Sequence, residues 1–373
     1  MVQIKRIAFV MAALAAFMLV MTGCEREITG EVETINDISS QNCFGCHNGQ
    51  MDAEQGEWQN STHASGNNID YTNRGGRDCT ACHNQEGFIS FINTGTLPAE
   101  PFSSVSAIGC FACHNPHETG DFSLRAVDAY TLPDGSSFDH ESGNLCANCH
   151  HSRLDSRTIV DGVSVSRYWG PHHGPQGDMI NGSNGFEFPG EGYSFPSSPH
   201  ATQVREACIG CHMGNPQAHQ GYDIGGHSFN MVDEGSGETL IGLCADGACH
   251  PGVEVYDFTA DADYDNDGVV EGYQTEIAGM LDSLSTLLQN GGYFDGSNYP
   301  VSGTIADANI AGAMYNYKFV EEDQSHGIHN FRYARSLLEA SIDYMSNLPG
   351  ATANSSQVSL EDGPAVTPMI SAH

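Results

Sequence analysis

Cations are scarce in this chain. Lys and Arg number 13 against 47 Asp and Glu in 373 residues, a formal charge of −34, and the lysines are Lys5 and Lys318. Such a field repels nucleic-acid phosphates and anionic headgroups. It excludes nucleic acid as a partner and favours cationic partners, metal ions or mineral surfaces, while also keeping the chain soluble. Long apolar runs are lacking as well, apart from Ile7 to Val20 behind Lys5 and Arg6. That run is too short and wrongly flanked for a membrane span and reads as an export signal over 1–23. Removing it would leave 11 of the 13 cations against 47 carboxylates, a formal charge of −36. From Cys43 to about Pro251 sustained periodicity is also missing, and Gly, Asn, Ser, Pro and Asp dominate. Compact domains rarely contain such long structureless stretches, so something other than aliphatic side chains must fill the interior.

What is present is one repeated word. C-x-x-C-H occurs at Cys43–Cys46–His47, Cys79–Cys82–His83, Cys110–Cys113–His114, Cys146–Cys149–His150 and Cys208–Cys211–His212. A stretched copy is Cys244-Ala-Asp-Gly-Ala-Cys249-His250. On one helical turn, positions i, i+3 and i+4 share a face. Both thiols can therefore form thioethers to one porphyrin edge, with the His beneath the iron, as in c-type haem attachment. A single Cys pair could equally be a zinc knuckle or a disulfide. His fills 18 of 373 positions, so six chance coincidences are on the order of one in 10⁷ to 10⁸. In the stretched copy Asp246 and Gly247 must bulge out, which Gly247 makes sterically cheap; a disulfide is the alternative there. Twelve of the 13 cysteines are thus assigned, leaving Cys24 and no thiol for a catalytic nucleophile.

Six proximal histidines leave twelve of the 18. The expected distal ligands are His63, His117, His200, His227, His329 and one of His172 and His173. His63 and His200 stand a short loop ahead of a motif, and His117 closes the run Cys113-His-Asn-Pro-His. His172 and His173 lie on a Gly/Pro-rich loop. His140 and His151 are reserves, and His219 and His373 are treated as bystanders. An iron held by two imidazoles has no open position and reorganises little between redox states, so such haems pass electrons.

At Asp261 the character changes. Asp263, Asp265, Asp267, Gly268 and Glu271 follow the spacing of an EF-hand calcium loop, though Gln274 stands where a bidentate Glu belongs and Glu276 comes two residues late. Apolar periodicity then predicts helices from Ile277 to Leu288, over about 305–319 and over about 331–345. The expected fold is mostly coil plus α: an export signal at 1–23, a tether at 24–42, a multihaem core at 43–260 with haems as its interior, an acidic loop at 261–276, a helical segment of about three helices at 277–348 and a flexible tail at 349–373.

Two resemblances add to this. Thr22-Gly23-Cys24 resembles the lipobox of bacterial lipoproteins, with Met21 where Leu is usual. That implies a lipid on Cys24, and Glu25 after it implies an outer-membrane destination, on the periplasmic or cell-surface side. Residues 195–348 resemble the ammonia-forming cytochrome c nitrite reductase family. The resemblance rests on Ser198-Pro199-His200 ahead of Cys208–Met213, on Gly226-His227, and on Ser325-His326-Gly327-Ile328-His329-Asn330 between two C-terminal helices. It implies an axial role for His329, although Phe331 replaces that family's Pro. Those reductases bind substrate at a haem whose motif ends in Lys, whereas all six motifs here end in His. The scaffold carries over and the active site does not. The expectation is a non-enzymatic electron relay of six haem c groups, exchanging electrons with other cytochromes or an external acceptor. The alternatives are a nitrite or hydroxylamine reductase with one open haem, and a homo-oligomeric or filament-forming cytochrome.

Overall fold

The computed structural model describes residues 51–75, 79–188, 198–204, 206–214, 221–245 and 249–349. It is helix and coil with little sheet. Two-stranded antiparallel pairs join β1 (Tyr130–Thr131) to β2 (Ser137–Phe138) and β3 (Val163–Val165) to β4 (Gly303–Ile305). Helices of eight residues or more are α1 (Asp52–Gln59), α2 (Gln85–Thr94), α3 (Tyr273–Asn290), α4 (Ala308–Asp323) and α5 (Phe331–Ser346). Among the described residues no helix is long and apolar enough to cross a membrane.

The three long helices pack on one another, and each begins where local chemistry satisfies its first N–H groups. Asp307 accepts from Asn309 N at 2.8 Å to start α4, and Asn330 accepts from Tyr333 N at 3.2 Å to start α5. For α3 the acceptor is distant in sequence: Asp257 takes Gln274 N at 2.7 Å and the Thr275 hydroxyl at 2.6 Å. Helix α3 therefore begins four residues ahead of its first apolar stripe residue, Ile277. Phe331 opens α5 with its ring against Tyr264 and Tyr273.

The stripe Ile310, Ala313, Met314 and Tyr317 faces the core, but α4 is buried nearly all round, from Ile310 to Val320. A helix enclosed on every side must satisfy its polar groups internally. Asn316 does so by accepting from Phe186 N at 2.8 Å and donating to Phe186 O at 2.9 Å and Ser341 Oγ at 3.1 Å. Phe186 in turn sits over Gly312, where a Cβ would fall 2.1 Å from its ring. The main apolar core runs across residue 260, because Ile159, Val165, Met179, Phe186 and Phe188 join the three helices in it and β3 pairs with β4.

Elsewhere the apolar clusters are small. One joins Leu132, Phe138, Ala147, Ile180, Ala201 and Ala207; another joins Phe88, Ala112 and Leu145. A cavity of 4230 Å³ is lined by the described motif cysteines and histidines. Ordinary ligand pockets hold about 300–1,000 Å³, so this space suits several large groups.

Candidate functional site

The four described regular motifs form single helical turns. The N–H of His83, His114, His150 and His212 donates to the carbonyl of its own first cysteine at 3.1, 2.9, 2.9 and 2.9 Å. That i to i+4 closure turns both thiols and the imidazole to one side. None of the ten described cysteines is in a disulfide, Cys244 and Cys249 included. In the stretched motif Cys244 sits on the turn Ile241–Ala245, and residues 246–248 lie outside the described residues. So do Cys24, Cys43, Cys46, His47, His219 and His373.

Each described motif histidine faces one other histidine. Ring centres are 6.1 Å apart for His83 and His172, 6.2 Å for His150 and His63, and 6.4 Å for His114 and His227. They are 6.3 Å apart for His212 and His329 and 6.2 Å for His250 and His200. With metal–imidazole bonds of about 2.0–2.1 Å and ring centres about 1.1 Å beyond the nitrogen, two imidazoles across one metal stand roughly 6.3 Å apart. Five pairs from ten separate chain positions share that spacing, and all open onto the same cavity. The residues fit haem iron held between two imidazoles.

The outer ring nitrogens are held as such ligands require. Nδ1 of His83 bonds Asn67 O at 2.9 Å, His114 bonds Phe122 O at 2.7 Å, His212 bonds Phe229 O at 2.9 Å and His200 bonds Ile328 O at 2.8 Å. A carbonyl can only accept, so Nδ1 carries the proton and Nε2 keeps its lone pair for a metal. His150 uses Gln176 Oε1 at 3.3 Å. Two of the partner rings bond carboxylates: His329 bonds Asp323 Oδ1 at 2.7 Å and His227 bonds Glu57 Oε2 at 3.2 Å. Glu57 reaches His227 because residue 226 is glycine with φ +51, where a Cβ would lie 2.3 Å from the carboxylate.

Burial favours the neutral form of six of these imidazoles. It lowers His63, His172 and His212 to about 4, helped at His63 by His150 and at His172 by His173. Burial also lowers His114, His150 and His200. At His329 burial pulls the same way, but the charge of Asp323 and its hydrogen bond outweigh it and raise the group. His172 has φ +73, a left-handed backbone uncommon for a side chain of this size. Such conformations cluster where a ligand clamp is held by its surroundings.

Of the two adjacent histidines on the Gly/Pro loop, His172 faces His83, whereas His173 forms a 2.6 Å ion pair with Glu322 that raises it. His117 lies against Phe111 rather than facing a described proximal histidine. His151 uses both ring nitrogens, accepting from the Tyr130 hydroxyl at 3.0 Å and donating to Ser152 O at 2.5 Å. His140 packs on Phe138. The supporting groups Asn67, Glu57, Gln176, Phe229 and Asp323 carry no motif, so nothing in the sequence marked them.

The acidic loop is folded by its own carboxylates. Asp263 accepts from Asn266 N and Gly268 N at 2.7 and 3.0 Å, Asp265 from Asp267 N at 3.0 Å and Asp267 from Val269 N at 2.7 Å. Oxygens of Asp263, Asp265 and Asp267 converge, as do those of Asp265, Glu271 and Glu276. Gln274 turns away, donating to Ser325 O at 3.1 Å, while the buried Glu276 turns in and accepts from Tyr264 N, Asp265 N and Glu271 N.

No family model matches the chain. No solved structure matches it either. It is 21% identical over 309 residues to the C-type polyheme cytochrome OmcC of Geobacter sulfurreducens, covering 72% of this chain and 36% of that protein. The chain thus spans about a third of the length of this relative. Taken with the motifs and the paired histidines, that similarity supports a multihaem c-type cytochrome containing haem c.

Proposed function

We propose that the protein is a hexahaem electron carrier in which closely packed haems, each held by two histidines, form a relay. The observation that carries this reading is the common spacing of 6.1 to 6.4 Å in five histidine pairs around one cavity. Bound haem supplies one-electron chemistry at iron. The chain's own part is to set ten imidazoles in five facing pairs, to fix seven of the rings through Nδ1, and to line the cavity with apolar groups such as Phe88 and Phe258. His117 is proposed as a further distal ligand. The pairing of His250 with His200 favours haem over a disulfide at Cys244 and Cys249.

The test is an intact mass with absorption and electron paramagnetic resonance spectra of the purified holoprotein. Six covalent haems, all low-spin, are expected. Five haems with a Cys244–Cys249 disulfide would remove the stretched site. A high-spin haem that turns over nitrite or hydroxylamine would favour the reductase-like alternative, to which the C-terminal resemblance points.

The reading extends to an exported protein anchored through lipid on Cys24 at the outer membrane, facing the periplasm or the cell surface. It would exchange electrons with other cytochromes or an external acceptor, alone or as an oligomer or filament. Cys24→Ser should release the protein from the membrane fraction with its haems intact; unchanged membrane association would mean another anchor. The loop at Asp263, Asp265, Asp267 and Glu271 is proposed to bind calcium, with Glu276 in place of the missing position-12 carboxylate.

A further inference from the structure

The turn Cys146–His150 touches three other motif turns. Toward the second motif the approach is reciprocal: Cys82 Sγ lies 3.8 Å from Asn148 O and Cys149 Sγ lies 3.9 Å from Ala81 O. Toward the third, Cys149 and Leu145 share an apolar cluster with Ala112 and Cys113. Toward the fifth, Ala147 shares another with Ala207 and Cys208. Small residues inside the motifs permit this, since Ala81, Ala112 and Ala147 are 8%, 1% and 1% exposed. Any larger side chain there would separate the turns.

The ligand histidines repeat the pattern. Phe229 packs its ring on His63, the partner of His150, at 4.9 Å and on His227, the partner of His114, at 6.4 Å. Its carbonyl also accepts from His212 of the fifth motif. The fifth motif continues to the sixth. A Cβ on Gly214 would lie 2.1 Å from Leu243, and His200, the partner of His250, bonds the carbonyl next to His329.

We infer that the relay is branched, with the Cys146–His150 motif as its junction: one arm runs to Cys79–His83, one to Cys110–His114, and one through Cys208–His212 to Cys244–His250. This rests on the haem reading above. A junction lets electrons enter by one arm and leave by either of two others, which a single file of haems does not allow.

The test uses interaction between neighbours, because reducing one haem adds a charge that lowers the potential of those beside it. His63→Met exchanges one axial ligand for a thioether, which raises the potential of that iron. Spectroelectrochemical titration of the holoprotein should then show one midpoint raised and three others lowered. The matching variant at the second motif, His172→Met, should disturb fewer than three neighbours. Disturbance of only one or two neighbours by His63→Met would overturn the junction. If that variant loses its haem, the experimental structure of the wild-type holoprotein decides. Three haems in contact with the one on His150 are expected, and fewer would reject the branch. Missing or high-spin haems in the wild type would instead refute the parent reading, which separates the two failures.

Discussion

His329 and Asp323 are joined by a 2.7 Å hydrogen bond, and the Asp323 side chain is 1% exposed. A buried carboxylate accepting the Nδ1 proton makes the imidazole a stronger donor at Nε2 and stabilises the oxidised iron. In the proposed relay, the iron held by His212 and His329 should therefore sit at a lower potential than those whose outer nitrogens bond carbonyls. Asp323→Asn keeps the shape and removes the charge. One midpoint should rise while every haem stays low-spin, as read by potentiometric titration with absorption spectra. Unmoved midpoints would show that Asp323 only caps the loop, where it also bonds the Ser325 hydroxyl.

The neighbours His172 and His173 should behave differently. His172→Ala should turn one low-spin haem high-spin and open it to carbon monoxide, because it removes the ring facing His83. His173→Gln should leave every haem low-spin, since it breaks an ion pair with Glu322 and no ligand pair. That pair is half-exposed on the histidine side, so little stability should go with it. A high-spin haem in His173→Gln would reverse the assignment.

Much of this was legible from spacing alone. The motifs mark which cysteines and proximal histidines share a turn, because that geometry is local. The apolar stripe of Met280, Leu281, Leu284 and Leu288 marks α3 for the same reason, and all four are buried. Which histidine faces which was not legible. His63 and His150 are 87 positions apart in sequence, and His200 precedes the fifth motif yet faces His250 of the sixth. The choice between His172 and His173 was equally hidden, since it depends on Glu322, which only the folded chain brings near. Helix α4 read as one-sided because Asn316 and Lys318 are polar, but Asn316 has partners on Phe186 and Ser341 that let it be buried.

Asn316→Ala should accordingly be among the costlier substitutions outside the haem ligands. It leaves the Phe186 N–H and carbonyl without their partner inside the core, at a cost of about 2–4 kcal/mol in stability. Denaturant unfolding of the holoprotein, followed in the far ultraviolet, checks this. A loss below about 1 kcal/mol would mean that water replaces the side chain.

The acidic loop supplies the last test. Burial, followed by the neighbouring carboxylates, raises both Asp265 and Glu271. A carboxyl raised in the folded state favours its protonated form there. It therefore opposes folding increasingly as pH climbs from the ordinary carboxylate range through the raised value, and ceases to do so below that range. A bound divalent cation relieves the repulsion by binding the folded loop alone, and stabilises it by mass action. Adding calcium at neutral pH should raise the thermal midpoint, and chelator should lower it. In chelator the midpoint should recover as pH falls toward the ordinary carboxylate range, before general acid unfolding sets in. Asp265→Asn should abolish the calcium response, because Asp265 belongs to both converging oxygen groups. Gln274→Ala should leave it intact, because that side chain bonds Ser325 O instead. Glu276→Gln does not serve alone, since Glu276 also holds three backbone N–H groups of the loop. A calcium response that survives Asp265→Asn, or none in the wild type, would leave the loop an acidic turn closed by its own hydrogen bonds.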